Sequence, residues 1–259
     1  MTVLYEPLGT LKQIGPEIWI ADGPPVQFYG VNFPTRMTVI RITASTGDVG
    51  LWVHSPIAID ANLQTELDAL GPVRWLIGPN PLHYVSLAEW KKHYPSADVF
   101  AAPGVKARAK KYNIFVPQHQ VLSDEAPQDW AQSIDQRVVH GHKFLHEVVF
   151  YHALSKTLIL TDLIENFEAH KVGKFKAFMF KLAGNLDPDG KAPADMRMTF
   201  KSKAKARKVI EELISWGPEK IIISHGRWYP ENGVSELKRA FRWLGLEAAQ
   251  PPSQSSKTE

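Results

Sequence analysis

The chain of 259 residues contains no cysteine. This absence excludes disulfide bonds, thiolate ligands for zinc and a cysteine nucleophile. A metal site in this protein would therefore consist of imidazole, carboxylate and water ligands, which are typical of hydrolytic centres. A chain without cysteine also fits a reducing compartment, and we expect a cytoplasmic protein.

Long apolar runs and a strong charge imbalance are absent as well. No apolar run is long enough to span a bilayer, and the first residues lack the basic-then-apolar pattern of a signal peptide. Lys and Arg exceed Asp and Glu by only three, 30 against 27, so we expect no nucleic-acid partner. With 44% hydrophobic residues the chain can bury a full core. We expect one domain at residues 1–248 and a disordered polar tail at residues 249–259.

Three short apolar runs each end in a side chain that can bind a metal or transfer a proton. WLIGPNPLH ends at His83, TLILTD at Asp162, and KIIISHG carries His225 next to its end. Runs of this length, rich in Ile and Leu and bounded by turn residues, predict buried strands. Sheets flanked by helices present their sites at the carboxyl ends of strands. We therefore expect the three side chains to meet at one edge, as metal ligands or as catalytic acid–base groups.

A short span holds four of the ten histidines, namely His140, His142, His146 and His152. In an extended strand Glu147 and His152 point to opposite faces, so these polar groups cannot all bind one ion. We expect one of His142, Glu147 and His152 to complete the site, and the choice stays open. His54 is a further candidate for the rim of the site. Arg197 would either contact an anionic substrate or form a surface ion pair.

The order of strands and helices predicts the architecture. Each half of the chain runs through several strands and then through helix, strand and helix. In the first half, Gly- and Pro-rich loops separate the strands; in the second, ALSK forms a tight turn between HEVVFYH and TLILTD. Two such halves, packed sheet to sheet with helices outside, predict an α/β fold: a four-layered αββα sandwich with two mixed sheets.

An apolar stripe with flanking lysines marks a helix predicted at residues 171–182. The stripe consists of Phe175, Phe178, Met179 and Leu182. Lys174 and Lys181 lie beside it. Three interpretations stay open: the stripe packs on the domain, closes over the site as a lid, or contacts a membrane surface.

The blocks in this order resemble the metallo-β-lactamase-like superfamily and, more narrowly, a bacterial branch of it described as a domain of unknown function. The resemblance covers roughly residues 5–248. It rests on LWVHSPI, IGPNPLHYVSLAEWKKHYP, FAAPG, EVVFYHALSKTLILTDLIEN and IIISHG. It implies the αββα fold and metal-dependent hydrolysis, with Asp162 similar to the bridging carboxylate and His225 to the last histidine ligand.

The chain departs from the superfamily where the HxHxDH loop would follow VRWLIG. That stretch is GPNPLHYVS, in which Asn80 takes the first histidine position, His83 supplies a single imidazole and the Asp–His pair is absent. We expect a reduced site holding one zinc, iron or manganese ion, which would hydrolyse a small ester, lactone or phosphoester. The alternatives are a non-catalytic binding protein of the same fold and a membrane-associated protein that uses helix 171–182.

Overall fold

The computed structural model describes residues 4–28, 30–44, 46–142 and 145–246. Within these ranges, seven strands form the first sheet: β1 (Lys12–Gly15), β2 (Ile18–Phe28), β3 (Val31–Thr43), β4 (Val49–His54), β5 (Val73–Gly78), β6 (Asp98–Ala101) and β7 (Gln120–Val121). Four strands form the second: β8 (Ile134–Val139), β9 (Glu147–His152), β10 (Thr157–Ile159) and β11 (Lys220–Ile222).

The helices follow the strands in two groups. Those between strands of the first sheet are α1 (Ala61–Leu70), α2 (Leu87–His93) and α3 (Val105–Tyr112). Those of the second half are α4 (Ala169–Val172), α5 (Lys174–Ala183), α6 (Ala194–Met198), α7 (Lys203–Ser215) and α8 (Gly233–Ala240), followed by a 3-10 turn at Arg242–Leu244.

Both sheets are mixed, as predicted. In the first sheet β1 to β4 pair antiparallel, and β4 to β7 pair parallel. Helices α1, α2 and α3 make the crossovers between the parallel strands, as parallel pairing requires. The second sheet has the order β11-β10-β9-β8, with β10 and β11 parallel and the other pairs antiparallel.

Alternate side chains of β9 show how the layers pack. The ring of Phe150 lies 4.9 Å from that of Trp52 on β4, in a core shared by the two sheets. Val149 points the other way and joins a second core with Leu213 of α7 and Leu237 of α8. Because α1, α2 and α3 cover the first sheet, the layers are helix, sheet, sheet and helix. The predicted αββα sandwich is confirmed.

The first half contains longer strands than the sequence indicated. The Gly-Pro-Pro run at residues 23–25 was predicted as a loop, but it lies inside β2. The ladder between β2 and β3 shifts register between Gly23 and Val26. Proline cannot donate a ladder hydrogen bond, and a bulge of this kind accommodates it without ending the strand.

Two predictions concern the organisation of the chain. The polar tail at residues 249–259 lies outside the described residues, and the single domain at residues 1–248 stays a prediction. None of the helices in the described ranges is both long and apolar enough to cross a bilayer.

A buried arginine, paired with an aspartate of its own sheet, links the first sheet to the second. Arg36 of β3 contacts Asp22 of β2 through Nη2 and Oδ1 at 2.8 Å, and both side chains are almost fully buried. The same guanidinium donates through Nη1 to the carbonyls of Ile223 at 2.7 Å and Gly226 at 2.9 Å. These two carbonyls bracket His225 at the end of β11, so Arg36 fixes the position of that histidine's backbone.

Replacing Arg36→Met should lower the free energy of unfolding by about 3 kcal/mol, because the buried carboxylate of Asp22 then keeps only Lys12, at 2.9 Å, as an ion-pair partner. The measurement is urea unfolding followed by circular dichroism. The control is Glu219→Gln, which breaks an exposed pair with Lys156 at 2.8 Å and should cause no measurable loss. Equal effects of the two substitutions would contradict the assigned role of Arg36.

Candidate metal centre

Asp162 follows β10, three residues beyond its last residue, and its side chain is only 3% exposed. The neighbouring strand β9 begins with Glu147, whose carboxylate accepts hydrogen bonds from the backbone N–H of Thr161 at 2.7 Å and of Asp162 at 2.9 Å. Glu147 therefore braces the turn that carries Asp162.

His225 follows β11, which pairs with β10, so it reaches the same sheet edge. Its Nδ1 donates to the carbonyl of Pro34 at 2.7 Å, which leaves Nε2 facing Oδ1 of Asp162 at 3.0 Å. Gly226 has φ +105°, and a Cβ there would collide with the carbonyl of Asn166. Only glycine allows this close approach, which holds the histidine against the sheet edge.

His83 reaches the same carboxylate from the loop after β5. Oδ1 of Asn80 accepts hydrogen bonds from the backbone N–H of Leu82 at 2.7 Å and of His83 at 3.0 Å, which shapes this loop. The Nδ1 of His83 lies 2.7 Å from Oγ of Ser55, and its Nε2 lies 3.3 Å from Oδ1 of Asp162.

These three side chains fit the ligand set of a metal ion. Among the described residues, His83, Asp162 and His225 are the group of three whose ligand atoms all lie within 4.8 Å of one another. Ligands at about 2.0–2.2 Å from one tetrahedral ion are separated by about 3.3–3.6 Å. Nε2 of His83 lies 3.3 Å from Oδ1, at that separation, and Nε2 of His225 lies at 3.0 Å, so it would move outward by a few tenths of an ångström to bind the same ion. A partner on each Nδ1 is also the usual arrangement around metal-binding histidines.

Asp162 and His225 stabilise each other's charged forms. Burial disfavours ionisation of Asp162, but His83 and His225 outweigh it and hold the pKa of this carboxyl well below its usual range. Burial opposes protonation of His225, yet its hydrogen bond to Asp162 and the charge of that carboxylate raise its pKa. Burial, together with the charge of Asp162, raises the pKa of Glu147 to about 7.

Asn80 occupies the other oxygen of Asp162. Since Oδ1 of Asn80 accepts two backbone N–H groups, its amide Nδ2 must face the carboxylates. This Nδ2 donates to Oδ2 of Asp162 at 2.7 Å, to Oγ1 of Thr161 at 2.7 Å and to Oε2 of Glu147 at 3.3 Å. The second carboxylate oxygen of Asp162 therefore already has a protein partner. That partner is an amide N–H group, which cannot itself bind a cation.

Two histidines from the proposed ligand set lie elsewhere. The Nδ1 of His142 accepts the backbone N–H of Leu145 at 2.7 Å, and its Nε2 contacts Oγ1 of Thr199. His152 pairs with Thr157 at the opposite end of β9, about 17 Å along the strand from Glu147 at 3.4 Å per residue. There its Nδ1 contacts Oγ of Ser155 at 2.8 Å, and burial lowers its pKa to about 4.

His54 and Arg197 do not join the group either. His54 is buried and stacks on Trp52 at 5.6 Å, and burial lowers its pKa to about 3, so the ring is neutral. Arg197 donates through Nη2 to the carbonyl of Ala183 at 3.1 Å, where it satisfies the carboxyl end of α5.

Several supporting groups were not identified from the sequence. The hydroxyl of Ser55 contacts His83, and its backbone is left-handed, with φ 53°. Its position directly after the strand that ends at His54 was the available signal. No signal in the sequence indicated the carbonyl of Pro34 or the guanidinium of Arg36, because both contact residues that belong to the other sheet.

Comparison with solved structures shows the metallo-β-lactamase fold. A metallo-β-lactamase from Pontibacter korlensis is 13% identical, with a TM-score of 0.60 over 92% of this chain and 99% of that chain. A metallo-β-lactamase from Hirschia baltica is 12% identical, with a TM-score of 0.59 over 91% and 97%. FIM-1 from Pseudomonas aeruginosa, in its mono-zinc form, is 9% identical, with a TM-score of 0.61 over 91% and 94%.

The sequence family is narrower than the fold. Residues 16–188 match the family model described as a domain of unknown function (DUF4336), and the chain belongs to that family. The resemblance predicted from the sequence is thereby confirmed at both levels. None of the curated proteins compared with the chain matches it.

A second buried carboxyl lies close to the group. Glu165 is three residues beyond Asp162, and its Oε2 accepts a hydrogen bond from Nδ2 of Asn185 at 2.7 Å. Burial raises the pKa of Glu165 from 4.5 to about 7, although His225 and Asn185 act in the opposite direction. The folded protein therefore binds this proton more tightly than the unfolded chain does.

The substitution Glu165→Gln should flatten the pH dependence of stability. The pKa of Glu165 is higher in the folded protein than in the unfolded chain. Its contribution to the free energy of unfolding is therefore fully present below about pH 4.5 and is lost as the pH rises through about 7. Relative to wild type, the variant should gain up to about 3 kcal/mol between pH 5 and pH 8. Urea unfolding with a chelator present measures this difference. The exposed control Glu89→Gln should follow wild type, and a Glu165→Gln curve parallel to wild type would contradict the expectation.

Proposed function

We propose that this protein is a metal-dependent hydrolase with a single ion held by His83, Asp162 and His225. The observation that carries the proposal is the convergence of two Nε2 atoms on one carboxylate oxygen, at 3.3 Å and 3.0 Å. The mono-zinc form of one structural neighbour supports a hydrolase with one ion. Nitrogen and oxygen ligands without thiolate favour zinc, iron or manganese.

The residues around the ligands have separate tasks. When bound, the ion would polarise a carbonyl or phosphoryl oxygen and lower the pKa of a bound water. The carbonyl of Pro34 keeps one proton of His225 on Nδ1, so that Nε2 becomes available as a ligand when it releases the proton it shares with Asp162. Asn80 keeps Oδ2 of Asp162 occupied, which limits the site to one ion.

The burial of the site favours a small substrate. The side chains of His83, Asp162 and His225 are only 11%, 3% and 8% exposed, so a bulky molecule could not reach all three. Three protein ligands leave a coordination position for water or substrate, which is the arrangement of catalytic rather than structural zinc sites. A small ester, lactone or phosphoester in the cytoplasm fits this description. The alternative is a non-catalytic binding protein. A protein that binds the metal but hydrolyses no substrate would favour it.

Purified protein without an affinity tag should bind one zinc ion and melt later when zinc is added. An ion at 100 times its dissociation constant stabilises the folded state by about 2.7 kcal/mol. The variants Asp162→Asn and His225→Ala should remain folded and lose this response, because each deletes a coordination bond. The control His152→Ala should keep it. Metal analysis and thermal melting with zinc or chelator are the measurements; two bound ions, or a wild type indifferent to zinc, would contradict the proposal.

A serine relay is the second candidate, and one observation favours it. Ser55 holds a left-handed backbone with φ 53°, a strained conformation that occurs at active sites in residues other than glycine. Its Oγ lies 2.7 Å from Nδ1 of His83, whose Nε2 lies 3.3 Å from Asp162. A serine, a histidine and a carboxylate in this order resemble a nucleophile, a base and an orienting group.

Ser55→Gly separates the two candidates, because glycine removes the hydroxyl without straining this backbone. For a metal hydrolase, hydrolysis of p-nitrophenyl acetate should be abolished by chelator, and the variant should lose only about 10- to 100-fold of its rate, because Ser55 orients the His83 ring without reacting. For a serine hydrolase, chelator should have no effect, and the variant should lose about 10³-fold or more of its rate. Labelling by a fluorophosphonate, followed by mass spectrometry, checks the assignment directly. A label on Ser55 would contradict the metal hydrolase.

A further inference from the structure

Helix α5 presents an apolar stripe to solvent. Four large side chains lie on this face, namely Phe175 at 77% exposure, Phe178 at 61%, Met179 at 50% and Leu182 at 70%. Their spacing of three or four residues places them side by side along the helix. Packing of this stripe on the domain, which the sequence left open, is therefore wrong. A contiguous exposed apolar face of this kind indicates an interaction surface.

The opposite side of α5 anchors it to the fold. Phe180 is buried, and its ring stacks on that of Phe167 at 4.4 Å. Phe167 in turn contacts Phe33 at 5.3 Å, and Phe33 contacts the His225 ring at 5.2 Å. A lid that turned the stripe inward would break the contact between Phe180 and Phe167. The stripe therefore faces away from the candidate metal centre while the helix stays attached to it.

Lysines flank the stripe on both sides. At about 100° per residue, Lys174 and Lys181 fall on one flank of the stripe and Lys176 on the other. All three are exposed, and none forms an ion pair with a carboxylate in the described part of the chain. Residues 169–186 contain four lysines and no Asp or Glu. The whole chain has a net charge of +3 and this segment has +4, so the remaining residues sum to −1. The segment therefore carries the positive excess of the chain.

We propose that the outer face of α5 docks onto a membrane surface containing anionic phospholipid. An apolar stripe between rows of lysine matches such a surface, because the stripe can enter the acyl boundary while the ammonium groups meet the phosphates. A second copy of the chain fits less well. A two-fold contact through this face would bring the lysines of both copies together.

Docking would also place the candidate metal centre near the lipid surface, because three ring contacts connect Phe180 to His225. The proposal does not depend on the metal. It concerns an exposed face, and it can succeed or fail whatever the His83, Asp162 and His225 group binds.

Flotation of the full chain with vesicles tests the proposal. We expect the protein to float with phosphatidylcholine vesicles that contain about one third phosphatidylserine and to stay behind with pure phosphatidylcholine. Added salt should weaken the binding, since exposed charges are screened. Removing two lysines as Lys174→Gln with Lys181→Gln should lower the partition coefficient by about 30-fold. Phe175→Gln with Leu182→Gln should lower it as well, without lowering the melting temperature, because both side chains are exposed.

Matched controls come from α3 and the loop after it. Lys110→Gln with Lys111→Gln removes the same charge from another helix, and Phe115→Gln removes an apolar ring that is 74% exposed. These variants should float as wild type does. Three results would overturn the proposal: no flotation with anionic vesicles, equal losses in the controls, or a dimer in light scattering that only the α5 variants disrupt. The last result would assign the face to a second copy of the chain.

Discussion

A carboxylate that is almost completely removed from water must be compensated by opposite charge or hydrogen bonds, and Asp162 is compensated on every side. Its Oδ1 faces His83 and His225, and its Oδ2 accepts a hydrogen bond from Asn80, while Glu147 holds the backbone of the turn that carries it. His83 and Asn80 follow a strand of the first sheet, whereas His225 and Glu147 belong to the second. The same charge that holds the two sheet edges together makes their meeting point attractive to a cation.

Asn80 compensates the carboxylates where the two sheets meet. Where a second ion would compensate the carboxylates, the Asn80 amide donates to Asp162, Glu147 and Thr161. Its carbonyl meanwhile holds the backbone that carries His83. One neutral side chain therefore donates to both carboxylates and keeps a single imidazole aimed at Oδ1. This arrangement is the physical basis for our expectation of one ion and not two.

The strand ends could be predicted from the sequence because apolar runs and turn residues mark them, and this was enough to bring His83, Asp162 and His225 together. The tight turn ALSK could also have excluded His152 from the site. It places His152 opposite Thr157 at the start of β10, which separates His152 from Asp162. The supporting contacts had no such signal. The bond from His225 to Pro34 crosses between sheets and uses a backbone carbonyl, so no side-chain pattern indicates it.

Anomalous diffraction at the zinc edge, from crystals grown with one equivalent of zinc, tests the single-ion site most directly. We predict one peak, about 2.0–2.2 Å from Nε2 of His83, Nε2 of His225 and Oδ1 of Asp162, with the Asn80 amide still bonded to Oδ2. A second peak beside Oδ2 would show that Asn80 does not limit the site to one ion. A peak at His142 or His152, or no peak at these three ligands, would contradict the assignment.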